Sequence, residues 1–386
     1  MDRVAVVGIG HSKFGRRTDV NVAELAFESI KKAVDDAGVN KKDIQNVIIG
    51  SAGGWYEESL PAVIVNEYAG LDGVGTMRVE AACASGSAAV KTAYNSILSG
   101  EAKVAMAVGI EKMTEVDTLT SIELIGRAGS YMWEFENFGM TFPAYYALYA
   151  VAHMNKFGTT EEDMSRVAVK AHHYGAMNPL AQFQKEITLE KAMGSQVVSW
   201  PLKLYDACPL TDGSASVILA SEEVAKGLTD TPIWIKGVGY SSDSANLSRR
   251  SDFVGLQASV DAAKRAYAMA KVTPDMVDVA TCHDCFTIAE LMAYEDLGFC
   301  KKGEGAKMIR EGQTELGGRI PVNLDGGLKA KGHPIGATGV SMAVEITKQL
   351  RNEAGSHQAP IKNGVGLVHN VGGTGHYAYV TILSRN

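Results

Sequence analysis

Short β-branched runs alternate along the chain with longer stretches whose apolar positions recur at helical spacing, the pattern of an α/β protein with parallel or mixed sheets. Val4 to Ile9 reads as a strand. From Ala23 to Ala37 the apolar residues Ala23, Ala26, Phe27, Ile30, Ala33, Val34 and Ala37 form one stripe, which predicts a helix that Gly38 ends. Val47 to Ile49 is the next strand.

The second half repeats this order. Ile233 to Val238 reads as a strand, Ala258 to Ala270 as a helix, and Val277 to Thr281 again as a strand. Cys83-Ala84-Ser85-Gly86-Ser87 opens a predicted helix to about Leu98, and His333-Pro334-Ile335-Gly336-Ala337 opens one to about Leu350. Strands follow both, Val104 to Val108 and Val365 to Val368, and Tyr377 to Leu383 is the last. The pattern predicts two copies of one unit, residues 1–230 and 231–386, about a pseudo-twofold axis. Residues 111–205 break the order, are rich in Met and aromatic residues, and read as an inserted cap.

Composition narrows the function classes. The 386 residues are 46% hydrophobic and 21% charged, enough chain for a large core in one or two domains. A net charge of -7 offers no basic field for nucleic acid. The longest apolar candidate, Phe142 to Met154, is interrupted by Pro143, tyrosines and His153, so no membrane span is expected. The strand at Arg3 to Gly8 leaves no room for a signal peptide, and Cys83, Cys208, Cys282, Cys285 and Cys300 are an odd set in a large chain. Reduced thiols in the cytoplasm are the expectation.

Cys83, among small residues at a predicted helix start, is placed where unpaired N–H groups and the helix dipole would lower a thiol pKa and hold an oxyanion. Alone, it reads equally well as a buried structural thiol. The repeat sets His333 opposite it, within Gly332-His333-Pro334, so that a Cys–His pair follows if the halves face each other. Cys282-His283-Asp284-Cys285-Phe286 follows a strand and offers acid–base groups. No second close ligand pair accompanies it, so no metal is expected. Gly366 to Gly375 puts glycines and polar residues after a strand, where backbone N–H groups could line an oxyanion hole. Gly8-Ile9-Gly10 lacks the third glycine of a dinucleotide fingerprint.

These residues together resemble the thiolase superfamily over nearly the whole chain. Cys83-Ala84-Ser85 is similar to its nucleophile motif, Gly332-His333-Pro334 to its Gly-His-Pro motif, and Leu210-Thr211-Asp212-Gly213-Ser214-Ala215 to its Asp-Gly-Ala strand motif. Most members carry Asn-Glu-Ala-Phe where this chain has His283-Asp284-Cys285-Phe286, and Cys-x-Gly where it has Asn370-Val371-Gly372. Both departures resemble the sterol-carrier-protein-type branch. The resemblance implies a five-layered αβαβα thiolase fold from two similar halves with a loop domain in the first.

It also implies an acetyl-CoA C-acetyltransferase with no permanent cofactor and coenzyme A thioesters as substrates. Cys83 is then the nucleophile, His333 takes its proton, Cys285 is the acid–base group, and His283 and Asn370 stand beside them. The N–H groups of Cys83 and Gly372 hold the oxyanion. Ser259 resembles the family's pantetheine-contacting Ser, and Arg249 and Arg250 are candidates for the nucleotide phosphates. Implied partners are a second copy, as homodimer or dimer of dimers, and a complex with 3-hydroxy-3-methylglutaryl-CoA synthase and a small zinc- and OB-fold-containing protein, feeding mevalonate synthesis. Thiolase-like aldolases, which typically lack the paired cysteines, 3-hydroxy-3-methylglutaryl-CoA synthase with a Glu such as Glu80, and a non-catalytic acyl-CoA scaffold are the alternatives.

Overall fold

A computed structural model describes residues 3–386. Its strands are β1 (Val4–His11), β2 (Asn46–Gly50), β3 (Gly75–Val79), β4 (Val104–Lys112), β5 (Val197–Ser199), β6 (Leu202–Lys203), β7 (Asp212–Ser221), β8 (Ile233–Ser242), β9 (Val279–Thr281), β10 (Val365–Gly372) and β11 (Tyr377–Ser384). β5 and β6 form a separate ribbon; the others form one sheet in the order β3-β2-β4-β7-β1-β8-β11-β10-β9.

That order is one arrangement written twice. In the first half β2 lies parallel to β3 and β4, β4 antiparallel to β7, and β7 antiparallel to β1. In the second, β9 lies parallel to Val322 and to β10, β10 antiparallel to β11, and β11 antiparallel to β8. The halves join where β1 meets β8, Ala5 opposite Trp234 and Val6 opposite Ile233.

Glycine makes the matching helix contacts possible. A Cβ at Gly10 would collide with the carbonyl of Ser29 in the Val22–Ala37 helix, and one at Gly239 would collide with that of Ala262 in the Gln257–Ala270 helix. Gly8 and Gly10 thus admit a helix to the outer face of β1, and no dinucleotide turn is needed to explain them. The Ser85–Leu98 and Thr338–Arg351 helices pack on each other in the middle, the backbone at Gly86 against that at Gly339. The result is five layers, helix, sheet, paired helices, sheet and helix. Sheets covered on both faces need apolar strands, and every residue of β4 and β10 is buried.

Three boundaries differ from the sequence reading. Both central helices begin late, at Ser85 and Thr338, so Cys83 and His333 stand on the approaches rather than in the first turns. Ala82 adopts φ 50°, its N–H held by the Glu80 carboxylate, while Ser85 Oγ closes the turn onto Ala82 O at 2.6 Å. β4 continues through Lys112, so the insertion starts after Lys112 rather than at Glu111. It contains the Phe142–Phe157 and Glu161–Met177 helices, and Pro143 lies in the first turn of the former, where its missing N–H costs nothing. No described helix is long and apolar enough to cross a membrane.

Candidate active site

Cys83, His283 and His333 converge from three loops that the two halves bring together. A ligand atom of each lies within 4.8 Å of the other two, and all three residues are buried. The imidazole rings stand nearly perpendicular, at 79°, with centroids 5.0 Å apart.

Hydrogen bonds assign each ring a tautomer. Nδ1 of His333 lies 2.7 Å from Thr338 Oγ1, and the Thr338 hydroxyl donates to Pro334 O at 3.0 Å. With that hydroxyl proton committed, Nδ1 of His333 is the donor and Nε2 carries the lone pair; Nε2 is buried without a partner. At His283 the assignment reverses. Asn370 Nδ2 donates to Cys83 O at 3.0 Å and reaches His283 Nδ1 at 3.1 Å, so Nδ1 accepts and Nε2 bears the proton. One ring presents a base and the other a hydrogen-bond donor. The three side chains are close enough to hold a metal ion, but this pair of tautomers suits proton transfer and oxyanion binding.

The thiol is not activated at rest. Burial pushes Cys83 up to about 12, the neighbouring Cys208 adds to this, and the Gly373 N–H opposes it. The sequence expectation of a lowered pKa fails because the helix begins two residues later and desolvation outweighs the dipole. Burial likewise holds His333 down to about 3, with Lys331 adding to the effect. A neutral thiol therefore faces a neutral imidazole, and their proton transfer awaits substrate. Burial also raises Cys285 well above the ordinary thiol range. The Tyr146 ring stacks on Phe286 with centroids 4.6 Å apart, and its hydroxyl lies beside the Cys285 thiol without good hydrogen-bond geometry.

Other expected residues are placed differently. The backbone N–H groups that lower the Cys83 thiol pKa are its own and that of Gly373, one residue beyond Gly372. Gly372 instead lets β10 approach the nucleophile turn, since a Cβ there would strike the Ala81 carbonyl. Ser259 is fully buried and bonded to His369 Nε2 at 2.8 Å, which puts it in the core rather than along a pantetheine groove. Arg250 is spent inside the fold on Ser244 O at 2.8 Å, Thr374 Oγ1 at 2.9 Å and the Tyr149 hydroxyl. Arg249 stands exposed at the end of the Leu247–Arg249 turn.

A cavity of about 820 Å³ opens nearby. Its walls include Cys208, Lys329 and, toward solvent, Lys13, Lys185 and Lys191. The Cys208 N–H donates to Cys285 O at 2.9 Å, so the cavity adjoins the site. Sequence reasoning missed Cys208, Lys329 and Tyr146. Two signals were present: Cys208 lies two residues before Leu210-Thr211-Asp212-Gly213, and Lys329 interrupts the Gly-rich approach to His333.

Comparison with known proteins identifies the family to which this fold belongs. The family "Thiolase, N-terminal domain" matches residues 4–223 and "Thiolase C-terminal domain-like" matches residues 239–385. An acetyl-CoA acetyltransferase of Methanothermobacter thermautotrophicus is 42% identical over 387 residues, covering 100% of both chains. Sterol carrier protein 2 of Homo sapiens is 32% identical, over 96% of this chain and 70% of its own. Among solved structures, the Ltp2-ChsH2(DUF35) aldolase matches with a TM-score of 0.87 at 27% identity, over 99% of this chain and 97% of that one. Acetyl-CoA acetyltransferase from Syntrophomonas wolfei shares the fold, with a TM-score of 0.75 at 18% identity over 100% of both chains. The two similar halves, the thiol and imidazoles between them and these full-length relatives carry one conclusion: the chain belongs to the thiolase family and is an acyltransferase.

Proposed function

We propose that this thiolase joins two molecules of acetyl-CoA into acetoacetyl-CoA, or runs the reverse thiolysis, through an acetyl thioester on Cys83. The observation that carries the reading is the juxtaposition of the Cys83 thiol with the lone pair of His333 Nε2 and the N–H of His283. Full-length similarity to the Methanothermobacter thermautotrophicus acetyl-CoA acetyltransferase supports the substrate.

In the first half-reaction His333 Nε2 takes the Cys83 proton and the sulfur attacks the thioester carbonyl. The N–H of Gly373 and that of Cys83 receive the oxyanion in place of the Cys83–Gly372 pair expected from the sequence. Collapse expels the CoA thiolate, which Cys285 protonates. In the second, Cys285 removes the α-proton of another acetyl-CoA, and His283 Nε2–H with protonated His333 holds the enolate oxygen. The carbanion attacks acetyl-Cys83, whose sulfur recovers its proton from His333. The lysine-bordered cavity would take the pantetheine arm, with Lys13, Lys185 and Lys191 toward the phosphates.

Similarity to the Ltp2-ChsH2(DUF35) aldolase favours a second reading, retro-aldol cleavage of an acyl-CoA without an acyl-enzyme. That aldolase is paired with a DUF35 chain, which supports a small partner here, in a complex passing acetoacetyl-CoA to 3-hydroxy-3-methylglutaryl-CoA synthase and mevalonate synthesis. The two chemistries separate in one assay. Purified protein given acetoacetyl-CoA and free CoA should form acetyl-CoA, detected by chromatography. Cleavage of a 3-hydroxyacyl-CoA with no such thiolysis would replace the thiolase reading with the aldolase one.

A further inference from the structure

A buried cation beside the second thiol takes no part in the steps above. Lys329 lies in the wide turn Gly327–Lys331, is 2% exposed, and donates from its ammonium to the Ala207 carbonyl. Among the described residues it forms no ion pair, whereas Lys331, two residues on and equally buried, is paired with Asp325. Removing an ammonium from water is costly unless an anion faces it.

The surroundings indicate where that anion forms. Ala207 bridges Phe286, and the next residue, Cys208, bonds to Cys285 O, so the lysine is anchored to the strand segment that pairs with the Cys285 loop. The titratable groups facing the ammonium are Cys208, Asp206, Asp284 and Cys285, with His172 on the cavity side. Asp206 is engaged by the Thr287 hydroxyl and the Lys203 N–H, each at 2.7 Å. Asp284 accepts the Leu328 N–H at 2.8 Å through Oδ1, while Oδ2 rests on Gly327 without a donor. Cys285 itself faces Cys208, Tyr146, Cys83 and Asp284. Lys329 is the cation of this cluster.

We propose that Lys329 is a positioning residue that stabilises the Cys285 thiolate formed between the two half-reactions. The inference rests on the thiolase reading. When the S–H bond of Cys285 breaks, its proton passes to the CoA sulfur and its electron pair stays on Cys285. The proton taken from Cys83 is meanwhile held on His333. Both charges persist until the α-carbon of the second acetyl-CoA returns a proton to Cys285. Lys329 faces an anion during that interval and lacks a paired one at rest.

The test uses Lys329→Gln, which keeps a donor for Ala207 but loses the charge, and Lys329→Arg, which keeps the charge. Condensation from preformed acetyl-enzyme is followed against pH in wild type and both variants. In Lys329→Gln the acid limb of kcat should move up by about one unit or more, as loss of a nearby opposite charge dictates, with KM changed by less than about threefold. Lys329→Arg should hold the limb near wild type. Asp284→Asn removes a carboxyl that faces the same thiol and that burial pushes up to about 7, so that it ionises only toward the alkaline side of the profile. The variant should move the limb down, a check that survives failure of Lys329→Gln to fold. Coincident limbs in wild type and Lys329→Gln, or in Asp284→Asn and wild type, would overturn the proposal. A wild type that forms no acetyl-enzyme would overturn the underlying thiolase reading instead.

Discussion

The Thr338 hydroxyl accepts the Nδ1–H of His333 at 2.7 Å, and this bond fixes Nε2 as the basic nitrogen facing Cys83. Thr338 Oγ1 can only accept there, because its own proton goes to Pro334 O. Thr338→Val removes the acceptor and frees the ring to take the other tautomer. Acetoacetyl-CoA thiolysis should then lose on the order of 10²-fold in kcat, with KM little changed. Thr338→Ser should restore most of the rate, and a valine variant with wild-type kcat would remove Thr338 from the account.

Asn370 supplies a different kind of control. Its amide nitrogen touches both Cys83 O and His283 Nδ1, so it orients the ring that donates toward the reacting oxygen. Asn370→Asp is nearly isosteric but offers acceptors only, and turns the His283 proton onto Nδ1. Both Asn370→Asp and Asn370→Ala should therefore lose on the order of 10²- to 10³-fold in kcat, the cost of one lost oxyanion donor. A near-normal rate in the aspartate variant contradicts the assigned tautomer.

Gly372 tests the turn that presents the nucleophile. A methyl group there meets the Ala81 carbonyl, one residue before the left-handed Ala82. Gly372→Ala should cost about 1–3 kcal/mol in urea unfolding, as overpacking does, and should slow acetylation of Cys83. Unchanged stability and acetylation together would mean that the turn yields without penalty.

Burial holds His333 near 3 against an ordinary value of 6.5, which ties stability to pH. Below 6.5 the unfolded chain binds a proton that the folded chain refuses. The stability this group contributes is complete above pH 6.5 and is lost as pH falls toward 3, at about 1.4 kcal/mol per unit. Glu111, pushed up to about 7 by burial, has the opposite sign. The useful quantity is thus the difference between wild type and His333→Asn in urea unfolding. The wild-type advantage should shrink between pH 6.5 and 4.5; a flat difference would mean that His333 is not held neutral.

Much of this was legible in the chain because it was written twice. The stripe at Ala23 to Ala37 and its counterpart at Ala258 to Ala270 each predicted a helix, and both form within one residue of the expected start. The repeat singled out Cys83 and His333 as a pair, and the resemblance of the His283-Asp284-Cys285-Phe286 loop singled out Cys285. Burial and side-chain direction were not legible. Ser259 looks like a polar residue at a helix start, and only the packed structure turns it onto His369. An Arg pair reads as phosphate-binding until Thr374 and Ser244 approach Arg250 from distant loops. The thiol pKa likewise depended on whether dipole or desolvation dominates, which is set by how much protein surrounds Cys83.

The central claim is an acyl-enzyme on Cys83. Intact-mass spectrometry of the protein after incubation with acetyl-CoA measures it directly, alongside Cys83→Ala and Cys285→Ala. One acetyl adduct on the wild type, mapped to the Cys83 peptide and absent from Cys83→Ala, is the predicted result. An unmodified wild type, or an adduct that persists in Cys83→Ala, would contradict it.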